Sequence, residues 1–244
     1  MLIKPQTLLF LPLFLFCQFV MAQDQISERV GYAYDVDTDE LIYSENHLET
    51  FTNGSIISDK VTYRDAEGNI IAEKDVDYTD SIVMPDFNLK NHATGHTEIA
   101  SKRDTELQVV FTPNEATEAD SKTIPLPEQG IIDAGFDRYI IQNWSELIEG
   151  KQLVQKMLIP SLKQFIEFRI YQKEVNEESN KRVLKVDPKS VFIRLLADPL
   201  VLEYDFDEPR LLSYLGKSNM RDAKGDNLQV RIEFPQTEYK ISQQ

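Results

Sequence analysis

Hydrophobic and polar residues alternate along most of this chain. Residues 228–234 alternate without interruption, and residues 30–36, 166–170 and 200–206 follow the same two-residue period. Successive side chains of a strand point to opposite faces of a sheet, so this period indicates strands with one face on a core and the other in water. Half-buried strands of this kind are typical of antiparallel sheets.

Short polar turns separate these segments. Residues 65–69, with the sequence Asp-Ala-Glu-Gly-Asn, join residues 60–63 to residues 70–73, and Gly68 supplies the positive φ that a hairpin turn needs. Many short strands joined by such turns predict a mainly β fold. We expect one strongly curved antiparallel sheet, a half-barrel or an open barrel.

One segment breaks the two-residue period. Between Asp133 and Gly150 the hydrophobic residues have the spacing of one face of a helix. These residues are Phe136, Tyr139, Ile140, Trp144, Leu147 and Ile148. Asp133 is placed to cap the first turn, and Gly150 stands where a helix often ends. The pattern predicts one amphipathic helix packed on the sheet, with Phe136, Ile140 and Trp144 lining a ligand site on its concave face.

Residues 112–128 are polar, acidic and aperiodic, and they include Pro113, Pro125 and Pro127. A structureless segment of this length is unusual inside a compact domain. We therefore expect a mobile acidic loop there, within one β-rich domain that covers residues 23–244.

The N-terminus has the pattern of a secretory signal peptide. Lys4 precedes an apolar run over residues 8–16, and Ala22 occupies the position before a cleavage site. We expect residues 1–22 to be removed and the protein to be periplasmic or secreted. The apolar run is short and is interrupted by Pro12, which argues against a retained membrane anchor. No later apolar run approaches 18 residues, so the mature chain is predicted to be soluble, without a transmembrane segment.

Composition removes several classes of function. The 244 residues include 26 lysines and arginines against 41 aspartates and glutamates, a net charge of −15, whereas binding to nucleic acid needs a basic face. The single cysteine, Cys17, lies in the predicted signal peptide, so the mature chain has no thiol for catalysis or zinc binding. The chain also lacks the common nucleotide-binding and hydrolase motifs, and no cofactor is predicted.

Glu45 and His47 form the first candidate catalytic pair. They have the same parity as Leu41 and Tyr43, so a strand that continues past Ser44 places them on its apolar face. A carboxylate and an imidazole shift each other's pKa there, which suits acid–base chemistry. If the strand ends near Ser44, both side chains turn into water.

His92, His96 and Glu98 form the second candidate group. The two histidines are four residues apart, and Glu98 shares the parity of His96. This set of ligands is chemically suited to a metal ion. The alternative is a polar loop without a metal, because Thr94 and Gly95 interrupt the segment and no third ligand follows at a defined spacing.

Several stretches resemble a group of exported bacterial proteins of unassigned function. They are residues 43–47, 61–74, 135–139 with Trp144, and 210–219. The resemblance covers most of the mature chain and implies no activity and no catalytic residue. The layout also looks like the lipid-carrier half-barrels of the periplasm, in which helices cover a curved antiparallel sheet. That likeness is an analogy of fold.

Three hypotheses follow from the sequence. The first is a non-enzymatic envelope protein that binds an apolar or lipid-like ligand in the concave face of its sheet. The second is an acid–base or metal-dependent hydrolase that uses Glu45 with His47, or His92 with His96 and Glu98. The third is a protein-interaction or assembly module whose partner is another envelope protein. The lack of catalytic motifs favours binding or interaction over catalysis.

Overall fold

The computed structural model describes residues 24–176, 180–195 and 198–243. The predicted signal peptide lies outside the described residues. The strands of the first half are β1 (Asp24–Asp35), β2 (Leu41–Thr52), β3 (Ser55–Asp65), β4 (Ile70–Asp77), β5 (Asp86–Asn91), β6 (Thr97–Arg103), β7 (Glu106–Thr112) and β8 (Asp120–Pro125). Those of the second half are β9 (Leu153–Ile159), β10 (Gln164–Asn176), β11 (Lys181–Pro188), β12 (Leu200–Asp205), β13 (Leu211–Arg221), β14 (Asn227–Glu233) and β15 (Lys240–Gln243).

All these strands belong to one sheet. Its order is β8-β7-β6-β5-β4-β3-β2-β1-β14-β13-β12-β11-β10-β9, and β15 pairs with the N-terminal part of β1. The sheet is thus two antiparallel meanders joined where β1 pairs with β14. The prediction of a mainly β fold built on one open antiparallel sheet is confirmed.

Irregular pairing bends the sheet. The register shifts between Ala33 and Tyr34 in β1 and between Thr50 and Phe51 in β2, and similar shifts recur in other pairs. A bulge bends its strand and increases the local twist, so repeated bulges curve the sheet.

The two edges of the curved sheet are tied to each other. Lys163, just before β10, forms an ion pair with Asp120 at the start of β8, with Nζ and Oδ2 2.5 Å apart. Ile131 bridges to β9, where its N–H donates to the Lys156 carbonyl at 2.8 Å and its own carbonyl accepts from Leu158 N–H at 2.9 Å. The segment after β8 therefore runs along the opposite edge of the sheet.

Helical structure is broken into short pieces: α1 (Gly135–Gln142), α2 (Trp144–Ile148) and α3 (Val191–Arg194). None of the described helices has the length and apolar run that a membrane crossing requires. The single helix predicted between Asp133 and Gly150 is wrong at Asn143, where ψ is 18° and the side-chain amide donates to the Tyr139 carbonyl at 2.8 Å. The prediction did find the end of the segment, since Gly150 has a φ of +86°.

The expected helix cap is also wrong. Ala134 occupies the position before α1 without a side-chain capping bond, and Asp133 instead reaches Lys74. Gly135 allows α1 to begin directly against the β4–β5 connection, because a Cβ there would lie 2.2 Å from the Val83 carbonyl oxygen.

The predicted mobile loop at residues 112–128 contains β8. This strand pairs with β7 from Phe111↔Asp120 to Glu106↔Pro125. Ile124 is its only buried side chain, so the strand has almost no hydrophobic alternation, and its sequence pattern is that of a loop.

Buried side chains form two clusters. The first core lies on the inner face of β1–β8, β13 and β14 and includes Tyr43, Val61, Tyr63, Val76, Leu89, Leu107 and Val109. The second core lies between β10–β12 and the helices α1 and α2. Its members are Ile131, Ile140, Leu147, Ile170, Leu184, Val186, Leu202 and Tyr204.

Candidate functional site

A cavity of about 420 Å³ lies between the inner face of the sheet and α1. Apolar side chains of α1, β9 and β12–β14 form one part of the lining, next to polar side chains of the same elements such as Arg138, Lys217 and Ser218. The main apolar residues are Phe136, Leu158, Leu200, Leu211, Ile232 and Phe234. The other part is formed by β1–β4 and carries charged and phenolic groups. We call it the polar wall; it consists of Arg29, Glu45, His47, Tyr63 and Lys74.

His47 is held between two carboxylates. β2 continues past Ser44 to Thr52, so Glu45 and His47 both face inward. The imidazole Nδ1 lies 2.8 Å from Asp59 Oδ2, and Nε2 lies 3.3 Å from Glu45 Oε1. The Arg29 guanidinium also lies 3.3 Å from Nδ1, so His47 is enclosed by two carboxylates and one cation.

The surroundings favour the charged form of His47. Burial and the nearby Arg29 guanidinium lower the pKa of His47, but the carboxylates of Asp59 and Glu45 outweigh them and raise it above its ordinary value. Burial opposes ionisation of Asp59, yet the charge and hydrogen bond of His47 lower its pKa to about 2. The pKa of Glu45 is lowered too, because the hydrogen bond and charge of His47 outweigh the effect of burial.

This geometry is poorly suited to acid–base catalysis. A general base needs a ring nitrogen that can reach its substrate, and both nitrogens of His47 are already in contact with Asp59, Arg29 or Glu45. Glu45 and Asp59 with lowered pKa values are also weak bases at neutral pH. The cluster Glu45–His47–Asp59 therefore balances buried charge within the wall of the cavity.

A second charged group ties α1 to the sheet. Glu49 on β2 accepts a hydrogen bond from Arg138 on α1 and lies 3.5 Å from Nε of Arg29 on β1. The Tyr204 hydroxyl donates to Asp137 Oδ1 at 2.7 Å. These contacts hold α1 over the sheet and so fix the height of the cavity.

Lys74 completes the polar wall. Its ammonium donates to Asp133 Oδ2 at 2.9 Å, and both side chains are largely buried. Burial lowers the pKa of Lys74, but the Asp133 carboxylate outweighs it and raises the pKa well above the ordinary value. An ammonium has three N–H donors, and Asp133 is its one hydrogen-bond acceptor among the described residues.

The second candidate group comes together only in part: His96 lies beside Glu98, which lines the cavity, whereas His92 lies apart from both. His92 is exposed and its Nε2 lies 3.0 Å from Glu73 Oε2. His96 is buried, with Nδ1 donating to the Thr112 carbonyl at 2.7 Å and Nε2 3.4 Å from Glu98 Oε1. The Asn91 side chain bonds the N–H groups of residues 93 and 94 and turns the chain between the two histidines. No three His, Cys, Asp or Glu residues in the described parts of the chain are grouped to hold a metal ion.

The three residues predicted to bind a ligand lie in different surroundings. Phe136 lines the cavity. Ile140 is fully buried in the second core, away from the cavity lining. The Trp144 ring packs 5.3 Å from the Tyr204 ring against the same core. The space under the second half of α1 and under α2 is thus largely filled, and the open volume lies under the first turn of α1, over β1–β4.

Sequence reasoning missed Arg29, Asp59 and Lys74. Each has the parity of buried neighbours on its strand, as Asp59 has with Val61 and Lys74 with Val76. A charged residue on the apolar face of a predicted strand is the signal that identifies such positions.

Comparisons with known proteins add little at the level of sequence. No protein-family model matches the chain, and no curated protein matches it. Among solved structures, a beta-barrel-like protein of a domain of unknown function, DUF1849, from Brucella abortus matches 91% of this chain and 98% of its own. The TM-score is 0.37 and the sequence identity is 7%. That neighbour is a bacterial protein of unknown function.

Proposed function

We propose that this chain is an exported, non-enzymatic envelope protein that binds a lipid-like ligand in the cavity between its sheet and α1. The observation that carries the proposal is the cavity itself, whose lining combines a group of apolar residues with buried charged groups. Its volume of about 420 Å³ lies within the roughly 300–1,000 Å³ typical of small-molecule sites.

The apolar part of the lining accounts for the hydrophobic part of such a ligand. Phe136, Leu200 and Leu211 are half-buried without a ligand and line the open volume. Covering these side chains removes apolar surface from water, which stabilises a complex by about 25 cal/mol for each Å² buried.

The polar wall accounts for a second part of the ligand. The Lys74 ammonium faces the cavity and has spare donors, since Asp133 takes one of three. A ligand that ends in a hydrogen-bond acceptor, such as a carboxylate or an ester carbonyl, satisfies these donors. An amphipathic molecule fits this combination better than a pure hydrocarbon does.

The state of His47 supports binding over catalysis. Nδ1 is shared between Asp59 and Arg29 and Nε2 faces Glu45, so neither ring nitrogen is open to a substrate as a hydrolase would require. Export rests on the signal-peptide pattern of residues 1–22.

The experiment is to purify the protein from the envelope fraction of its source and to identify what copurifies by native mass spectrometry and lipid extraction. We expect a mass that corresponds to a chain starting at Gln23, together with an apolar or amphipathic adduct. Fatty acids should displace an environment-sensitive dye from the delipidated protein with saturable binding.

A cavity-filling variant tests the location of the ligand. Leu211→Trp replaces a leucine side chain in the cavity with a larger indole ring. It should weaken dye and fatty-acid binding by about tenfold or more. Leu215→Trp makes the same change at an exposed position on the same strand and should bind as the wild type does. A delipidated protein that binds no fatty acid, or a Leu211→Trp variant with unchanged affinity, would contradict the proposal.

A further inference from the structure

Three buried polar side chains in the cavity lining have hydrogen-bonding groups without partners. Lys74 is 7% exposed, Glu98 is 5% exposed and Tyr63 is 1% exposed. Among the described residues, Asp133 accepts one of the three N–H groups of Lys74, and the Tyr63 hydroxyl makes no hydrogen bond. The one close contact of the Glu98 carboxylate there is His96 Nε2 at 3.4 Å, which is longer than a good hydrogen bond. A ligand that covers these groups must supply their partners, because buried unpaired polar groups cost free energy.

The register of the sheet places the three side chains in one patch of its inner face. Lys74 lies opposite Leu89 and Leu89 lies opposite Glu98, so the backbones of Lys74 and Glu98 are two strand spacings, about 10 Å, apart. Tyr63 lies opposite Ala72, two residues from Lys74 on β4, and is therefore its diagonal neighbour. One head group of a ligand can contact all three.

These groups need both donors and acceptors from a ligand. The Lys74 ammonium only donates hydrogen bonds, and the Glu98 carboxylate only accepts them. Burial raises the pKa of Tyr63 well above its ordinary value, so its hydroxyl stays protonated and both donates and accepts. A head group that carries only acceptors, such as a carboxylate, leaves Glu98 without a donor.

The charges around the cavity are nearly balanced. Five lysines and arginines and four aspartates and glutamates line it, and Glu49 pairs from outside the lining with Arg29 and Arg138. The Arg221 guanidinium attracts Glu98 without forming an ion pair with it, so it opposes a second cation there. A charged head group would therefore add an unmatched charge to a largely buried site.

We propose that the ligand is a single-chain lipid whose head group is uncharged and carries several hydroxyls, such as the glycerol ester of a fatty acid. Hydroxyls donate and accept, so such a head group bonds Lys74, Tyr63 and Glu98 without bringing a charge. Its acyl chain covers the apolar part of the lining. This inference rests on the proposed function, because it names the class of ligand for the same cavity.

The test compares lipids that share one acyl chain length and differ in the head group. These are monomyristoylglycerol, myristate, tetradecylamine and the zwitterionic myristoyl lysophosphatidylethanolamine, each used below its critical micelle concentration. In dye displacement from the delipidated protein, monomyristoylglycerol should bind about tenfold more tightly than each of the charged lipids.

Two variants test the position of the head group through the ratio of monomyristoylglycerol affinity to myristate affinity. Glu98→Leu removes the acceptor and should lower this ratio about tenfold, because a buried hydroxyl loses its partner. Glu106→Leu makes the same change at an exposed position on β7 and should keep the wild-type ratio. Both affinities are measured on the same folded protein, so a loss of stability alone does not change the ratio.

Tyr63→Phe removes only a hydroxyl and should lower the same ratio several-fold. Its matched control is Tyr34→Phe, because the Tyr34 ring packs against Arg231 outside the cavity lining. The ratio of the control should stay at the wild-type value.

Several results would overturn this inference. If myristate bound as tightly as monomyristoylglycerol, the proposed function would stand and the uncharged head group would be wrong. Tighter binding of tetradecylamine or of the zwitterionic lipid would have the same meaning, as would a wild-type ratio in Glu98→Leu. If none of these lipids displaced the dye, the proposed function itself would fail.

Discussion

The second core is filled with side chains. The first core instead lies next to an open cavity, and the polar wall lines the cavity on that side. Both cores use inward-facing residues of one curved sheet. In the second core, Ile140 of α1 and Leu147 of α2 pack against side chains of the sheet, including Ile170 and Leu184. Over β1–β4 the corresponding space is occupied by charged groups that pair with each other and leave room beside them.

The difference shows how one sheet supports two roles. Apolar side chains pack to the density of an organic crystal, which leaves no space for a ligand. Buried charged side chains such as His47 and Lys74 need partners within hydrogen-bond distance. The space next to these pairs is the open cavity. The filled core holds α1 in place, and α1 in turn covers the open part of the sheet.

The largest expected effect comes from breaking a buried pair in the polar wall. Lys74→Met leaves the Asp133 carboxylate largely buried without its cation. We expect the free energy of unfolding in urea to fall by about 3–5 kcal/mol. If the wall depends on charge pairing, addition of Asp133→Asn should recover part of this loss.

Lys60→Met is the matched control. Lys60 lies on the neighbouring strand β3 with its side chain in solvent, so its replacement should change the unfolding free energy by about 0.5 kcal/mol at most. If the two methionine variants were equally stable, the ion pair of Lys74 would have no structural role.

The next effect distinguishes the filled core from the cavity. Ile140→Ala opens a hole in the second core and should cost about 3 kcal/mol in urea unfolding, with unchanged affinity for the dye in the cavity. Phe136→Ala removes a half-buried cavity-lining ring, so it should cost less stability and weaken dye binding.

The opposite outcomes would contradict the distinction between a filled second core and a ligand-binding cavity. A loss of dye affinity in Ile140→Ala, at a temperature where the variant is folded, would show that the second core is part of the binding site. Circular dichroism of both variants provides the check on folding.

The sequence was sufficient to predict most of the strands because their signal is local. Alternation such as that of residues 228–234 depends only on the two faces of a strand. β8 was missed because Ile124 is its single buried side chain. The break at Asn143 was missed because the apolar positions continue on one face from α1 into α2.

The site was only partly predictable, because its partners come from different strands. Parity placed Glu45 and His47 on one face of β2. Asp59 reaches His47 only because of the register between β2 and β3. In that register Glu49 lies opposite Asp59, and His47 lies opposite Val61. Such register depends on bulges and pairing across the sheet, and no local pattern in the chain encodes it.

The smallest expected effect is the pH dependence of the charged cluster. The pKa of Asp59 falls from 3.8 to about 2 on folding, so its contribution of about 2 kcal/mol is present above pH 3.8 and is lost as the pH falls towards 2. The pKa of His47 is raised on folding from 6.5, so its contribution is complete below pH 6.5 and is lost as the pH rises through the folded value. Unfolding free energies measured in urea between pH 2 and pH 10 should therefore peak between these limits.

Variants of two histidines test the alkaline side of that curve. His47→Gln removes the titrating cation, so the decline in stability that His47 causes above pH 6.5 should disappear. His92→Gln makes the same change at an exposed ion pair with Glu73, where solvent screens the interaction, and should keep the wild-type curve. If His47→Gln declined with pH as the wild type does, His47 would be neutral in the folded protein. One of its ring nitrogens would then be unprotonated, and the case for binding over acid–base catalysis would be weaker.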